Sequence, residues 1–237
     1  MKVFQYLLFC VVLLVSTSCV HNNLNTNHYL LSPDESLSFT LHGDQENISY
    51  SLKKDGNTLI NQSQLGILAD QFEIAQDIQI KNVTRSSKNK TWTQVWGEQK
   101  QIVDHHNELA IHVTSNSNNI QMIIRFRLFN DGLGFRYEIP EQKELNEFKI
   151  LDELTEFNFA EDATSWWIPA YSYRRFEFLY ANTLISEISR DTYSKLVENL
   201  NGPRLGPEAV HTPFTIQRND GICIAIHEAN LTNYSSM

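Results

Sequence analysis

Hydrophobic and polar side chains alternate strictly on both sides of a short polar break at residues 130–132. A period of two indicates β-strands that each bury one face. Asn130, Asp131 and Gly132 accept positive φ, so the pattern predicts a β-hairpin over residues 122–140, with a bulge near Gly134. The apolar face comprises Met122, Ile124, Phe126, Leu128, Phe135, Tyr137 and Ile139, and the polar face comprises Arg125, Arg127, Arg136 and Glu138.

Similar alternation recurs along most of the chain, between turn-forming residues such as Asp55-Gly56 and Asn219-Asp220-Gly221. The one helical pattern covers residues 192–200, and residues 70–90 are mainly polar. Many short strands with few helix signals indicate an all-β antiparallel sandwich with few short helices. Strands are predicted at residues 37–41, 48–52, 58–60, 65–68, 91–98, 109–113, 148–151, 155–159, 214–217 and 221–227.

The pattern of apolar residues also predicts which large side chains, and which cysteine, are buried. We expect Trp96, Phe126, Leu128, Phe135 and Tyr137 to be core residues. Two of the three cysteines lie in the N-terminal apolar segment, so the rest of the chain has no internal partner for the remaining thiol. That thiol, Cys223, lies in the apolar run 222–226 and is expected to be an inert core residue.

Composition and charge narrow the possible partners. The chain has 237 residues, of which 41% are hydrophobic and 11% aromatic, enough for one large all-β domain or two small ones. The formal net charge of −9 argues against nucleic acid and anionic membrane surfaces as partners.

The N-terminus resembles a secretory leader. Lys2 precedes an apolar run at residues 3–15, which is too short to span a bilayer, and Ser16-Thr17-Ser18-Cys19 follows. A cysteine directly after small residues resembles a bacterial lipobox. We therefore expect residues 1–18 to be a lipoprotein-type signal peptide, Cys19 to be lipidated, and residues 19–30 to form a tether. The alternative is a plain signal peptide in which Cys19 occurs by coincidence.

Three segments taken together are similar to one family. The first joins Val95-Trp96-Gly97-Glu98 to His106-Asn107-Glu108-Leu109-Ala110, the second is RFRLFNDGLGFRYE from residue 125, and the third is His227-Glu228-Ala229 with Leu231 and residues 234–237. Their order and spacing resemble the N-terminal domain of glycoside hydrolase family 97, which includes periplasmic α-glucosidases and α-galactosidases of gut Bacteroides. The resemblance covers residues 31–237.

This resemblance implies a three-part enzyme. A galactose-mutarotase-like β-supersandwich packs on a catalytic (β/α)8 barrel that carries the acid and base or nucleophile, and a small β domain follows. Family members bind a calcium ion at the sugar site, with one carboxylate ligand from the N-terminal domain just after a Trp-Ile-Pro segment. Here Trp167-Ile168-Pro169 precedes Glu177, which therefore matches that ligand although its spacing is one residue longer.

The sequence also departs from the full family pattern. It ends at Met237, without a βα repeat or a nucleophile motif, so we expect an incomplete sandwich with no catalytic residues of its own. Glu153, Glu156 and Glu161 cannot be assigned as an acid/base pair, because such a pair needs a fixed separation of roughly 5–10 Å. His105, His106 and His227 lack partners at zinc-type spacing.

Three functional hypotheses remain open. The chain is the N-terminal domain of a calcium-dependent glycosidase acting on oligosaccharides, a stand-alone sugar-binding envelope lipoprotein, or an inactive remnant. In the second hypothesis Trp166, Trp167, Tyr171 and Tyr173 would form a stacking platform. We prefer the first, with the barrel as partner, no nucleic acid, and a location in the periplasm or at the outer membrane of a Gram-negative bacterium. Membrane contact would come only through the lipid anchor.

Overall fold

The computed structural model of the chain describes residues 26–43, 47–143, 145–170, 178–196, 209–231 and 234. The regular secondary structure of these residues is almost all β-strand, as the alternation predicted. The strands are β1 (Thr26–Leu31), β2 (Leu37–Gly43), β3 (Ile48–Lys54), β4 (Asn57–Gln64), β5 (Ile67–Ala69), β6 (Glu73–Ile74), β7 (Ile78–Thr93), β8 (Gln101–Ser115), β9 (Gln121–Leu128), β10 (Leu133–Glu138), β11 (Ile150–Glu153), β12 (Thr164–Trp167), β13 (Ala181–Leu184), β14 (Phe214–Gln217) and β15 (Cys223–Ile226).

The strands form antiparallel sheets that pack around two hydrophobic clusters. The sheet orders within the described residues are β1-β2-β3-β4, β10-β9-β8-β7, β11-β5-β6 and β13-β12-β14-β15. The first three sheets surround the larger cluster, which includes Phe39, Tyr50 and Phe126. The fourth sheet covers a smaller cluster built on Trp167 and Tyr193. This arrangement confirms an all-β sandwich fold.

Helical structure is limited. A 3-10 turn spans Ile185–Glu187, and helix α1 spans Arg190–Leu196. The helix starts two residues before the predicted segment, because the hydroxyl of Ser189 accepts a hydrogen bond from the N–H of Thr192 at 3.1 Å. The remainder of the predicted helix, residues 197–200, lies outside the described residues.

The predicted hairpin pairs β9 with β10, and Leu128 lies opposite Leu133. Phe126 and Leu128 are fully buried, while Phe135 and Tyr137 are half-buried against the larger cluster. The predicted bulge is wrong, because the pairing has no register shift and none of residues 130–134 has a positive φ. The N–H of Phe129 instead donates to Gly132 O at 2.8 Å, which closes a compact turn.

Several other sequence predictions are corrected. Trp96 is 87% exposed rather than buried, and Cys223 is exposed rather than a core thiol. The polar stretch before residue 91 is largely strand β7, and residues 155–159 contribute one bridge, Ile60 to Phe159, in place of a strand. Strand β1 begins at Thr26, within the segment expected to be a tether.

Candidate functional site

The loop expected to carry the calcium ligand joins β12 to β13. Residues 171–177 lie outside the described part of the chain, so the positions of Glu177, Tyr171 and Tyr173 are not described. Cys19 and the leader also lie outside it. The two ends of the loop are described and both are held by the fourth sheet, where Trp167 of β12 lies opposite Ala181 of β13.

Beyond β12 the chain stays bound to a neighbouring segment. The N–H of Ala170 donates to Ala209 O at 2.9 Å, and Pro169 forms a bridge with Val210. Backbone bonds of this kind fix the direction in which the loop leaves the sheet. The sequence had indicated an aromatic-rich loop from residue 165, but Ser165, Trp166 and Trp167 belong to β12.

Trp167 supports the loop from below. Its side chain is 1% exposed, and its indole N–H donates to Thr183 Oγ1 at 3.0 Å. The rings of Trp167 and Tyr193 are 5.5 Å apart, and the Tyr193 hydroxyl donates to Leu179 O at 3.0 Å. Burial of Tyr193 raises the pKa of its hydroxyl, so it stays a neutral donor.

The proposed sugar-stacking platform is therefore corrected at Trp167, because a buried ring cannot offer its face to a ligand. Trp166, the next residue in β12, points to the opposite side of the sheet and is half-buried. Leu179 and Tyr180, at the far end of the loop, are both exposed. Among the described aromatic side chains around the loop, Trp167 is therefore buried, Trp166 half-buried and Tyr180 exposed.

A described carboxylate lies at the end of this sheet from which the loop leaves. Strand β14 starts and strand β15 ends there, with Phe214 opposite Ile226. Glu228 follows β15 and accepts a hydrogen bond from the hydroxyl of Thr212, just before β14. In the sequence Glu228 is marked only as one residue of the third family motif. The strand register shows that it lies at the end of the sheet from which the loop leaves.

Metal-binding groups are sparse in the described structure. Among the described residues no three His, Cys, Asp or Glu side chains lie close enough together to hold a metal ion. A calcium ion takes six to eight oxygen ligands, and carboxylates are common among them.

The outer face of the β8-β9-β10 sheet carries a row of ion pairs. Arg125 contacts Glu108 at 2.6 Å and Glu138 at 2.7 Å, and Arg127 contacts Glu108 at 2.8 Å. Hydrogen bonds from Arg125 and then from Arg136 lower the pKa of Glu138 to about 2. Burial raises the pKa of Glu108, but its hydrogen bonds to Arg127 and Arg125 outweigh burial and lower it overall. Because the ion pairs join residues of β8, β9 and β10, we assign them a structural role in holding these strands together.

A polar cleft of about 740 Å³ opens beside β2, β3 and β4. One carboxylate, from Glu156, lies in it, and amides and hydroxyls dominate the remaining lining. No aromatic ring other than the imidazole of His42 lines the described part, so the cleft lacks the flat apolar face that stacks on a sugar ring. The lining residues are Asn27, His42, Gly43, Asn47, Ile48, Ser49, Gln62, Gln64 and Glu156.

Comparison with known proteins decides the family. The model of the family described as glycosyl-hydrolase 97 N-terminal matches residues 30–237. The chain belongs to this family. The resemblance inferred from its motifs is thus confirmed, and the chain is an N-terminal domain of the glycoside hydrolase family 97 type.

Relatives of this family 97 domain are longer proteins. A retaining alpha-galactosidase of Bacteroides thetaiotaomicron is 22% identical over 241 residues, which cover 100% of this chain and 33% of that protein. A family 97 enzyme of Pseudoalteromonas sp. strain K8, solved with panose, is 34% identical with a TM-score of 0.76, covering 89% of this chain and 30% of its own. The chain therefore spans about a third of the length of these relatives.

A more distant structure shares the fold alone. A beta-arabinopyranosidase is 18% identical, with a TM-score of 0.67 over 80% of this chain and 29% of its own. No helix among the described residues of the family 97 domain is long and apolar enough to cross a membrane.

Proposed function

We propose that this domain is the N-terminal part of a calcium-dependent glycosidase of the α-glucosidase or α-galactosidase type, acting on oligosaccharides. The observation that carries the proposal is the family match over residues 30–237, since it joins the chain to enzymes about three times as long. The Bacteroides relative is a retaining alpha-galactosidase. Pseudoalteromonas enzymes of the family were solved with panose and with acarbose.

In this proposal the chemistry belongs to a catalytic (β/α)8 barrel and the domain contributes one calcium ligand, Glu177. The anchored ends of the loop support this role, because a metal ligand must be held in place by its surroundings. Ala170 and Leu179 are both hydrogen-bonded within three residues of the loop segment. Calcium would supply a positive charge at the sugar site, and the remaining oxygen ligands would come from the barrel and water.

The cellular location forms a further part of the proposal. Cys19 would be lipidated and would hold the domain at the envelope of a Gram-negative bacterium, in the periplasm or at the outer membrane. Support comes from the apolar leader that ends in Ser16-Thr17-Ser18-Cys19. Mass spectrometry of the N-terminal peptide tests it, and an unmodified peptide starting elsewhere than Cys19 overturns it.

The calcium ligand is tested by Glu177→Gln, which keeps the size of the side chain and removes its charge. In the isolated chain we expect no hydrolysis of aryl α-glucosides or α-galactosides, and the substitution to be silent. In a chimaera that joins the chain to the rest of the Pseudoalteromonas enzyme, calcium affinity and kcat/KM should fall together, by at least about tenfold.

Glu141→Gln is the matched control, since Glu141 is an exposed glutamate on a different segment. It should leave both the calorimetric calcium titration and the turnover of the chimaera unchanged. Turnover by the isolated chain that disappears with Glu177→Gln would show that the domain carries chemistry of its own. A chimaera that keeps its calcium affinity with Glu177→Gln would remove this residue from the site.

A further inference from the structure

Strands β7 and β8 extend beyond the sheet to which they belong. Strand β9 pairs with β8 only as far as Leu128 opposite Asn107, whereas β7 and β8 continue to pair up to Thr93 opposite Gln101. Residues 88–106 thus form a two-stranded projection, which we call the arm. At roughly 3.3 Å per residue its paired part is about 20 Å long.

The tip of the arm exposes apolar side chains. Val95 is 99% exposed, Trp96 is 87% exposed, and Trp92 is 51% exposed. Val103 is 62% exposed and lies opposite Thr91, on the face of the arm away from Trp92. Aromatic side chains of this kind bury roughly 150–250 Å² each when they are covered. Several large apolar side chains exposed together at one end of a folded protein mark a contact surface.

The base of the arm is held in a defined position. His106 is buried, its Nδ1 lies 2.6 Å from Asp104 Oδ1, and its ring lies 4.9 Å from that of Phe129. Lys88 on the opposite strand bonds the same carboxylate at 2.5 Å. These contacts lower the pKa of Asp104, chiefly through the hydrogen bond from Lys88. Because the base is held by these contacts, the tip loses little conformational entropy when it binds a partner.

The turn at the tip is also closed by its own contacts. The N–H of Gln94 donates to Lys100 O at 3.1 Å, and its side-chain amide bonds Gln99 O. Gly97 has φ of 140°, and a Cβ there would lie 2.4 Å from Gln94 Nε2. The backbone at position 97 therefore favours glycine. Val95 and Trp96 point into solvent, and no described residue covers them.

We propose that the arm tip is the anchor by which this domain docks on the catalytic domain of a family 97 glycosidase. The proposal rests on the proposed function, because the catalytic domain is its partner. The solved relatives carry about 70% of their chain beyond the matched part, so a large protein surface accompanies this domain in them. Tryptophan at the centre of an interface contributes more binding energy than most side chains.

Two other occupants fit the tip less well. Among the described residues β7 is an edge strand, and its pairing with a second copy is opposed by the positive charges of Arg85 and Lys90 on that strand. A sugar would stack on Trp96, but the fully exposed aliphatic Val95 beside it and Val103 on the other face offer nothing to a hydroxyl-rich ligand. A protein surface, in contrast, is large enough to contact apolar side chains on both faces of the arm.

The test combines Val95→Ser with Trp96→Ala in one variant of the full chain. The binding partner is the part of the Pseudoalteromonas enzyme beyond its matched 30%, produced separately, and binding is measured by titration calorimetry. Leu151→Ser is the control, since Leu151 is 54% exposed on β11, away from the arm. We expect the double variant to bind at least tenfold more weakly, the control to bind normally, and all three chains to have the same melting temperature.

Other outcomes overturn the proposal in distinguishable ways. Normal binding by the double variant removes the arm as the anchor but leaves the proposed function intact, whereas absence of binding by the unmodified chain contradicts the proposed function itself. Self-association in sedimentation that the double variant abolishes would make a second copy the occupant. If maltotriose or galactose quenches tryptophan fluorescence and Trp96→Ala abolishes this quenching, the occupant of the arm tip is a sugar.

Discussion

Phe126 lies at the centre of the larger hydrophobic cluster. Its side chain is fully buried, and its ring lies 4.6 Å from Phe39 and 6.0 Å from Phe135. Phe126→Ala removes these contacts and leaves a cavity, because the structure around a truncated core side chain relaxes only partially. We expect the free energy of unfolding to fall by about 3–5 kcal/mol in urea denaturation.

Trp96→Ala provides the comparison for this prediction. The change removes a larger ring, yet Trp96 is 87% exposed, so we expect the free energy of unfolding to change by less than about 0.5 kcal/mol. Equal urea midpoints for Phe126→Ala and the unmodified chain would contradict the core assignment.

Alternation identified Phe126 and Leu128 as buried but failed for Trp96 and Cys223. Trp96 lies in the turn that follows β7, because that strand ends at Thr93 and does not continue through the predicted residues 91–98. For Cys223 the apolar run 222–226 suggested burial from both sides, whereas β15 is an edge strand with its Cys223 face exposed. Alternation gives the face of a strand, and burial of that face depends on what covers it.

The connection from β4 to β5 passes very close to the chain after β6. A Cβ built on Gly66 would lie 2.5 Å from Ala75 Cβ and 2.7 Å from the Ile74 carbonyl oxygen. The Gly66 N–H also donates to the Tyr137 hydroxyl at 3.0 Å, so the segment cannot move away without losing a bond. Gly66→Ala should therefore reduce the free energy of unfolding by about 1–3 kcal/mol.

Gly134→Ala is the matched substitution within β10, where a Cβ would meet nothing within 4 Å. Alanine costs less conformational entropy than glycine in a strand, so this change should be neutral or stabilise by up to about 1 kcal/mol. Thermal unfolding of both variants measures the contrast. Equal melting temperatures for Gly66→Ala and Gly134→Ala would show that the chain near Ala75 can yield.

At the scale of elements, the strand most poorly foreseen is β7. Most of its side chains are exposed, and polar residues follow one another on both faces, so no alternation marks it. Its strand conformation comes from pairing with β8 along nearly its whole length. Backbone hydrogen bonding to a distant partner, which a local pattern cannot reveal, determines such a strand.

The stability of the whole molecule should depend on pH through the ion pairs that join β8, β9 and β10. The pKa of Glu138 is lowered to about 2 in the folded state, chiefly by its hydrogen bond from Arg125 and also by Arg136. A lowered folded-state pKa adds stability that is present above the unfolded pKa of about 4.3 and is lost as pH falls through about 2.

Between pH 5 and pH 2 the unmodified chain should therefore lose about 1–2 kcal/mol more of its free energy of unfolding than Glu138→Gln does, allowing for screening of these partly exposed groups. Urea denaturation at a series of pH values measures this difference. Glu141→Gln should keep the slope of the unmodified chain. If Glu138→Gln leaves the pH dependence of the free energy of unfolding unaltered, the ion pair of Glu138 with Arg125 does not stabilise the folded state.

The sequence by itself determined the fold class, the opposed faces of the β9-β10 hairpin and the family motifs. All three depend on local stereochemistry, since side chains alternate across a strand wherever that strand lies. Tertiary structure alone decided that Trp167 is buried, that Glu228 follows β15 at the same end of the fourth sheet, and that no other described residue covers the arm tip. Those outcomes depend on strand register and on which sheet covers which face, and both arise from contacts between residues far apart in the chain.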